Sequence, residues 1–251
     1  MYHYPLLSSP DFGFIRAPGP GLGNLLFPIT RALQAAKTKK EIFVPPTMFN
    51  LKIGPLIRQE KDLRFYNKEI RRRNFSEWIN FLCAFMNKDR TTFYTGEGNF
   101  FHDLQESSSL IKEWLTLNTF EKPINMSGKI AVHIRRGDFK KSNGSGLSYQ
   151  IPTQWYLDIV DRLLSKINTE VILFSDSKVS DKWTSFGSRI KLSQNTSACS
   201  NILSMSSADI LVASRSTFSL WSYFLSRQNT FLPKGIDISS FISDVRNIDY
   251  V

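Results

Sequence analysis

Apolar residues fall into short blocks along this chain, and the period inside each block predicts an element. Phe12, Phe14 and Ile15 read as a strand over 12–17. The stretch 18–24 holds two prolines and three glycines and reads as a loop that cannot be helical. Leu26, Ile29, Leu33 and Ala36 then recur at helical spacing and predict a helix over 25–37. Residues 41–44 read as a second short strand, closed by Pro45 and Pro46. This order of strand, loop, helix and strand opens an α/β domain. Helical patterns follow at 74–89 and 104–118, and Phe93 and Tyr94 read as a strand end.

The second half repeats that grammar. Strands are predicted at 129–134, 170–175, 190–192, 210–213 and 230–232. Helices are predicted between them at 153–166, with Thr153 as N-cap, and at 178–186, 200–206 and 217–225. Such alternation predicts a parallel, Rossmann-like sheet, whose ligands bind beyond the carboxyl ends of the strands. The stretch 122–127 separates an N-terminal α/β domain (1–126) from a C-terminal one (127–251).

Composition narrows the partners. A chain of 251 residues suits one large domain or two ordinary ones, and 41% apolar residues can form a core. The net charge is +10. Residues 1–126 carry 17 basic and 12 acidic residues and 127–251 carry 15 and 10, so each half is +5. A basic surface attracts nucleic acid, anionic lipid or phosphorylated small molecules. The even spread and the lack of a nucleic-acid-binding motif argue against nucleic acid. The triplet Arg71, Arg72, Arg73 reads as a solvated helix face, the alternative being a contact with a membrane or with the acceptor. Cys83 and Cys199 form no paired motif and the three histidines are scattered, so no metal site is expected. The N-terminus has no signal-peptide pattern and no run approaches the roughly 20 apolar residues of a membrane span, so the expected location is the cytoplasm.

Three segments of the second half end at the ligand edge. The first is His133, Ile134, Arg135, Arg136, Gly137, Asp138. Two adjacent guanidiniums at a strand end can bind a tetrahedral anion through several hydrogen bonds, and Asp138 can hold Arg136. A plain surface ion pair of Arg136 and Asp138 is the alternative. The second is Phe174, Ser175, Asp176, whose carboxylate can accept from a ribose or a guanine edge, or serve as a turn residue. The third is Ser214 to Ser219, a strand-to-helix turn whose amides and hydroxyls suit an anion, or simply cap a helix. Together they describe a nucleoside diphosphate site. The glycines at 19, 21 and 23 lack the spacing and the distal acid of a dinucleotide fingerprint.

These motifs, in this order, resemble the α-1,2-fucosyltransferase-like family of the His-x-Arg-Arg-Gly-Asp superfamily. The matching residues are Gly21 to Asn24, His133 to Asp138, Phe174 to Asp176 and Ser216 to Trp221, within 13–235. Ser222 stands where the family has a second tryptophan, and the stretch 45–125 is shorter than in typical members. The resemblance implies a GT-B fold, two Rossmann-like domains facing a cleft. It implies inverting, metal-independent transfer of a sugar, first of all L-fucose, from a GDP-sugar to a glycan or glycolipid hydroxyl. No cofactor is expected beyond the GDP-sugar itself. Other GDP-sugars (rhamnose, mannose, L-galactose) and a non-catalytic nucleotide- or glycan-binding relative stay open.

By the same resemblance, Arg135 stabilises the leaving diphosphate and His133 lines the donor pocket. Arg136 also serves the donor, Asp176 takes guanine or ribose, Ser216, Thr217 and Ser219 hold phosphate, and Gly23 and Asn24 close on the donor. An inverting transfer also needs a group to receive the acceptor proton. The candidates are Asp138, Glu97, His102 and Asp11; the first three have plainer readings, as an arginine partner, a loop acid and a packed histidine.

Overall fold

The computed structural model describes residues 1–17, 19–47, 69–71, 73–136 and 150–251. The chain divides into two compact units. One is Met1–Lys122 with Ser197–Ser200 and Phe241–Ser243; the other is Pro123–Thr196, Asn201–Ser240 and Asp244–Val251.

In the first unit, β1 (Tyr2–Pro5) is the centre of a three-stranded parallel sheet, flanked by β2 (Ile42–Phe43) and β3 (Thr91–Tyr94). Helix α1 (Leu22–Lys39) links β1 to β2 and buries Leu25, Leu26, Ile29, Ala32 and Ala36 along one stripe. It ends at Lys40, whose left-handed backbone returns its N–H to the carbonyls of Ala36 and Lys37. Helix α2 (Phe75–Met86) starts with a capping box, in which Asn74 and Glu77 each accept the other's backbone N–H. Helix α3 (Ser108–Asn118) follows β3.

Two expectations fail here. The segment 12–17 is no strand, only a loop joined by a bridge between Asp11 and Arg16. Gly13 has φ +76°, and the ring of Phe81 lies 1.9 Å from where a Cβ would sit, so the backbone turns away from an extended course. The helix predicted from residue 25 starts at Leu22, because Gly21 takes the extended N-cap position and Gly23 and Asn24 fit in the first turn. The loop over 18–24 is therefore helical in its last three residues.

The second unit holds six parallel strands in the order β6-β5-β4-β7-β8-β9. They are β4 (Ile130–Ile134), β5 (Val171–Ser175), β6 (Ile190–Leu192), β7 (Ile210–Val212), β8 (Asn229–Leu232) and β9 (Ile248–Tyr250). The intervening helices are α4 (Thr153–Leu164), α5 (Ala198–Met205) and α6 (Thr217–Ser226). All five residues of β4 are buried, as a central strand covered on both faces requires. Ile130, Val132 and Ile134 pack with Tyr156 and Val160 of α4 and with Leu173 and Val212. Each large apolar side chain buried so completely contributes roughly 1.5–3 kcal/mol.

Thr153 is the first residue of α4 and not its cap, since Pro152 occupies that position. The helix expected at 178–186 is a 3-10 stretch, Asp181–Arg189, broken by Gly187 at φ +62°. Strand β9 was not anticipated.

Candidate functional site

Chain order fixes where a ligand can enter the second unit. From β4 the chain proceeds outward to β5 and β6, then returns to the other side of β4 for β7, β8 and β9. Strand order reverses between β4 and β7, the topological switch point at whose carboxyl end open parallel sheets bind ligands. The three predicted segments meet there.

His133 belongs to β4 and is 4% exposed. Its Nδ1 lies 2.5 Å from Ser219 Oγ and 2.8 Å from Ser214 Oγ, and the two hydroxyls are 2.9 Å apart. The Ser214 N–H donates to Ser219 Oγ at 3.2 Å, and Phe218 lies against the imidazole, ring centres 5.1 Å apart. The histidine therefore ties the end of β4 to the turn after β7 and the first turn of α6. Burial, helped by the charge of Arg135, pushes its pKa down to about 3, so the ring is neutral at pH 7. His133 and Ser219 are thus engaged with each other in the interior. The sequence expectation set His133 in the donor pocket and Ser219 on phosphate; here each has the other as a hydrogen-bond partner.

The depressed pKa has a measurable consequence. In the unfolded chain the imidazole protonates near 6.5, whereas in the fold it resists until about pH 3. Across that window the unfolded state binds more protons, so stability rises with pH. This contribution is complete above about pH 6.5 and drains as acid is added, by up to about 1.4 kcal/mol per pH unit. Urea unfolding from pH 4 to pH 7 is expected to show that slope reduced in His133→Gln; equal slopes would mean the ring is not held neutral.

Arg135 and Arg136 stand just beyond β4. Arg135 Nη1 pairs with Asp176 Oδ2 at 3.0 Å, and the pair is partly exposed, at 25% and 15%. The other oxygen of Asp176 accepts the backbone N–H of Arg136 at 2.8 Å. Arg136 Nη2 donates to Thr153 Oγ1 at the start of α4, 2.6 Å away, and its carbonyl accepts from Gln150 Nε2. Asp176 therefore braces the basic motif. Asp138, the expected partner of Arg136, lies outside the described residues, and Arg136 is held by Thr153.

Ser216 is the N-cap of α6, its hydroxyl accepting the Ser219 N–H, and Thr217 is the first helical residue. Both are half-buried, so this helix start presents hydroxyls and amides beside the Arg135–Asp176 pair's edge of the sheet.

The first unit contains the remaining candidates. Gly23 is buried in the first turn of α1. Asn24, next to it, donates from Nδ2 to Glu97 Oε1, joining residues 73 apart in sequence. Arg31, two turns further along the same face of α1, holds the loop after β3. Its Nη2 donates to the carbonyls of Glu97 and Phe100, at 2.5 and 3.0 Å, and its Nε donates to Asp103 at 2.7 Å. Gly96, Gly98 and Phe100 of that loop all have positive φ. A Cβ on Gly98 would sit 2.6 Å from Arg31 Cζ, so this glycine admits the guanidinium. A non-glycine residue at positive φ, as Phe100 is, costs on the order of 1 kcal/mol and marks a loop held by its surroundings. The sequence reading missed Arg31; its seven-residue spacing from Asn24 was the available signal.

The other two candidates are Asp11 and His102. Asp11 accepts from the Gly13 and Leu7 N–H groups and from the Tyr4 hydroxyl, and burial pushes its pKa up. It fastens its own loop. His102 is exposed. Among the described residues, no group of three His, Cys, Asp or Glu side chains is placed to hold a metal ion, and no helix is long and apolar enough to cross a membrane.

Comparison with known proteins supplies the family. The family model described as Glycosyl transferase family 11 matches residues 39–241. No curated protein matches significantly. Solved structures resembling the chain include NodZ alpha-1,6-fucosyltransferase soaked with GDP-fucose, at 11% identity and TM-score 0.43, over 90% of this chain and 93% of that one. The fucosyltransferase NodZ from Bradyrhizobium matches at 11% and 0.43, covering 90% and 94%. NodZ alpha-1,6-fucosyltransferase co-crystallised with GDP matches at 11% and 0.39, covering 90% and 93%.

Proposed function

The chain belongs to glycosyl transferase family 11, a fucosyltransferase family, and from that premise we propose that it moves L-fucose from GDP-fucose to a glycan or glycolipid hydroxyl, with inversion and without a metal ion. The carrying observation is Arg135, braced by Asp176 at the switch point of a six-stranded parallel sheet. A fixed guanidinium at that edge supplies the positive charge that a departing diphosphate needs.

In this reading the second unit binds the donor. Arg135 takes the β-phosphate, and the start of α6, with Ser216 and Thr217, takes the other phosphate through its amides and hydroxyls. Arg136 holds the segment after β4 against α4 through Thr153. His133, neutral and buried, keeps the end of β4 and the start of α6 in register. The first unit serves the acceptor. The acceptor oxygen attacks C1 of the sugar from the face opposite GDP, the C1–O bond to the β-phosphate breaks, and the electron pair leaves with GDP. The acceptor proton passes to Glu97, whose carboxylate is set by Asn24 and whose loop is set by Arg31.

Thermal unfolding against GDP, GDP-fucose, UDP and ADP, without added metal, tests the donor assignment. A ligand at 100 times its dissociation constant adds about 2.7 kcal/mol of stability. Stabilisation by GDP and GDP-fucose and not by UDP or ADP is the expected pattern. Stabilisation by UDP alone would discard the donor, and no shift with any nucleotide would discard the site.

A further inference from the structure

Helix α2 (Phe75–Met86) is apolar on two opposite sides. One side is used: Phe81 and Ala84 are buried with Tyr4 and Val44. The other carries Phe75, Trp78, Ile79, Leu82, Phe85 and Met86, one continuous stripe at spacings of three and four, and all six are exposed. Phe75 and Met86, at the two ends, are 81% and 82% exposed, and Leu82 between them is 54%. An apolar stripe of this size on a folded unit marks an interaction surface.

Neighbouring structure extends the stripe. The Gly13 backbone packs against the Phe81 ring, and Arg73 donates to the Gly13 carbonyl at 2.5 Å and to the Pro45 carbonyl at 2.7 Å. That fixes the loop beside α2 with Phe12 and Phe14 exposed on it. The Arg73 guanidinium lies over the rings of Phe81, Trp78 and Tyr4, at 4.4, 5.1 and 5.8 Å. The arginine triplet is thus no simple solvated face: Arg73 is inside this aromatic box, and Arg71 pairs with Glu77 at 2.7 Å. Arg72 lies outside the described residues.

Charge selects the occupant. The stripe contains no acid, and Glu77 on its flank is neutralised by Arg71. At the far end, Lys88 Nζ sits 5.7 Å from the Phe85 ring, and the exposed Asp89 and Arg90 follow, so that end carries one net positive charge. The whole chain is +10, so a second copy brought against this face meets like charge, while an anionic surface is attracted. Aromatic and aliphatic side chains rimmed by cations are the two-part chemistry of a helix lying in a bilayer interface. We propose that α2 and the Phe12–Phe14 loop dock this protein onto an anionic lipid surface, inserting the apolar stripe at headgroup depth. This role is independent of the donor assignment.

The test is co-sedimentation of the full chain with vesicles of phosphatidylcholine alone and of phosphatidylcholine mixed with phosphatidylglycerol. Wild type is expected to pellet with the mixed vesicles, weakly with the neutral ones, and less as salt is raised. The Leu82→Glu/Met86→Glu variant changes only exposed positions and is expected to lose roughly tenfold or more of that binding, with unchanged circular dichroism. Recovery of wild type in the supernatant with both vesicles would overturn the proposal. So would equal binding by the variant, or by neutral vesicles. A wild-type dimer that the double substitution makes monomeric, with no vesicle binding, would reassign the face to a second copy.

Discussion

Arg135→Ala is expected to lower turnover by about 100- to 1,000-fold while leaving the protein folded, the loss typical of removing one donor from a charge-stabilising site. The two halves of that expectation have different physical sources. In the transition state, negative charge grows on the departing β-phosphate, and a guanidinium already held in place needs no reorganisation to meet it. In the resting fold, Arg135 is bonded to Asp176 in a pair that keeps contact with water, and such pairs contribute at most about 1 kcal/mol to stability. Asp176 would still accept the Arg136 N–H, so the strand end keeps its brace. Arg135→Lys retains charge but not the two-pronged fork, and an intermediate loss is expected. Removing the positive charge beside His133 should also raise the depressed pKa of that imidazole, a titration that reports the missing guanidinium independently of turnover. Wild-type turnover in the alanine variant would remove the basic motif from the mechanism.

The parallel sheet around Arg135 was legible because a strand covered on both faces must be apolar throughout. The apolar runs at Ile130–Val132 and Val171–Phe174 can be little else when amphipathic helices lie between them. The first strand escaped for the opposite reason. Tyr2–Pro5 contains a fully buried histidine, His3, satisfied by the Glu41 carboxylate and the Tyr94 hydroxyl, and hydropathy cannot see partners 38 and 91 residues away. Residues 12–17 looked like a strand by hydropathy, but the positive φ of Gly13 and the Phe81 ring decide otherwise.

The site divides along the same line. The ends of β4, β5 and β7 could be placed at one edge from sequence order, since parallel strands share a carboxyl edge. Which group braces which depends on lateral strand order. With β4 between β5 and β7, Asp176 comes to Arg135 from one side, and Ser214 and Ser219 come to His133 from the other.

Glu97→Gln is expected to lower kcat by about 100- to 10,000-fold with the dissociation constant for GDP unchanged, because the amide cannot take the acceptor proton. The substitution is chosen for its small structural cost. Glutamine keeps the oxygen that accepts from Asn24 Nδ2, and the loop's hold through Arg31 runs through backbone carbonyls that the change leaves in place. A loss confined to kcat therefore reports chemistry and not a displaced loop. Gly98→Ala supplies the contrast. Its Cβ would drive into the Arg31 guanidinium and force it off the carbonyls of Glu97 and Phe100, misplacing a carboxylate that is still chemically intact. That variant should lose both kcat and acceptor affinity, since displacement of the loop affects whatever it touches. If glutamine at 97 retained wild-type kcat, the proton would go elsewhere, and Asp138 of the basic motif would be the next acid to replace.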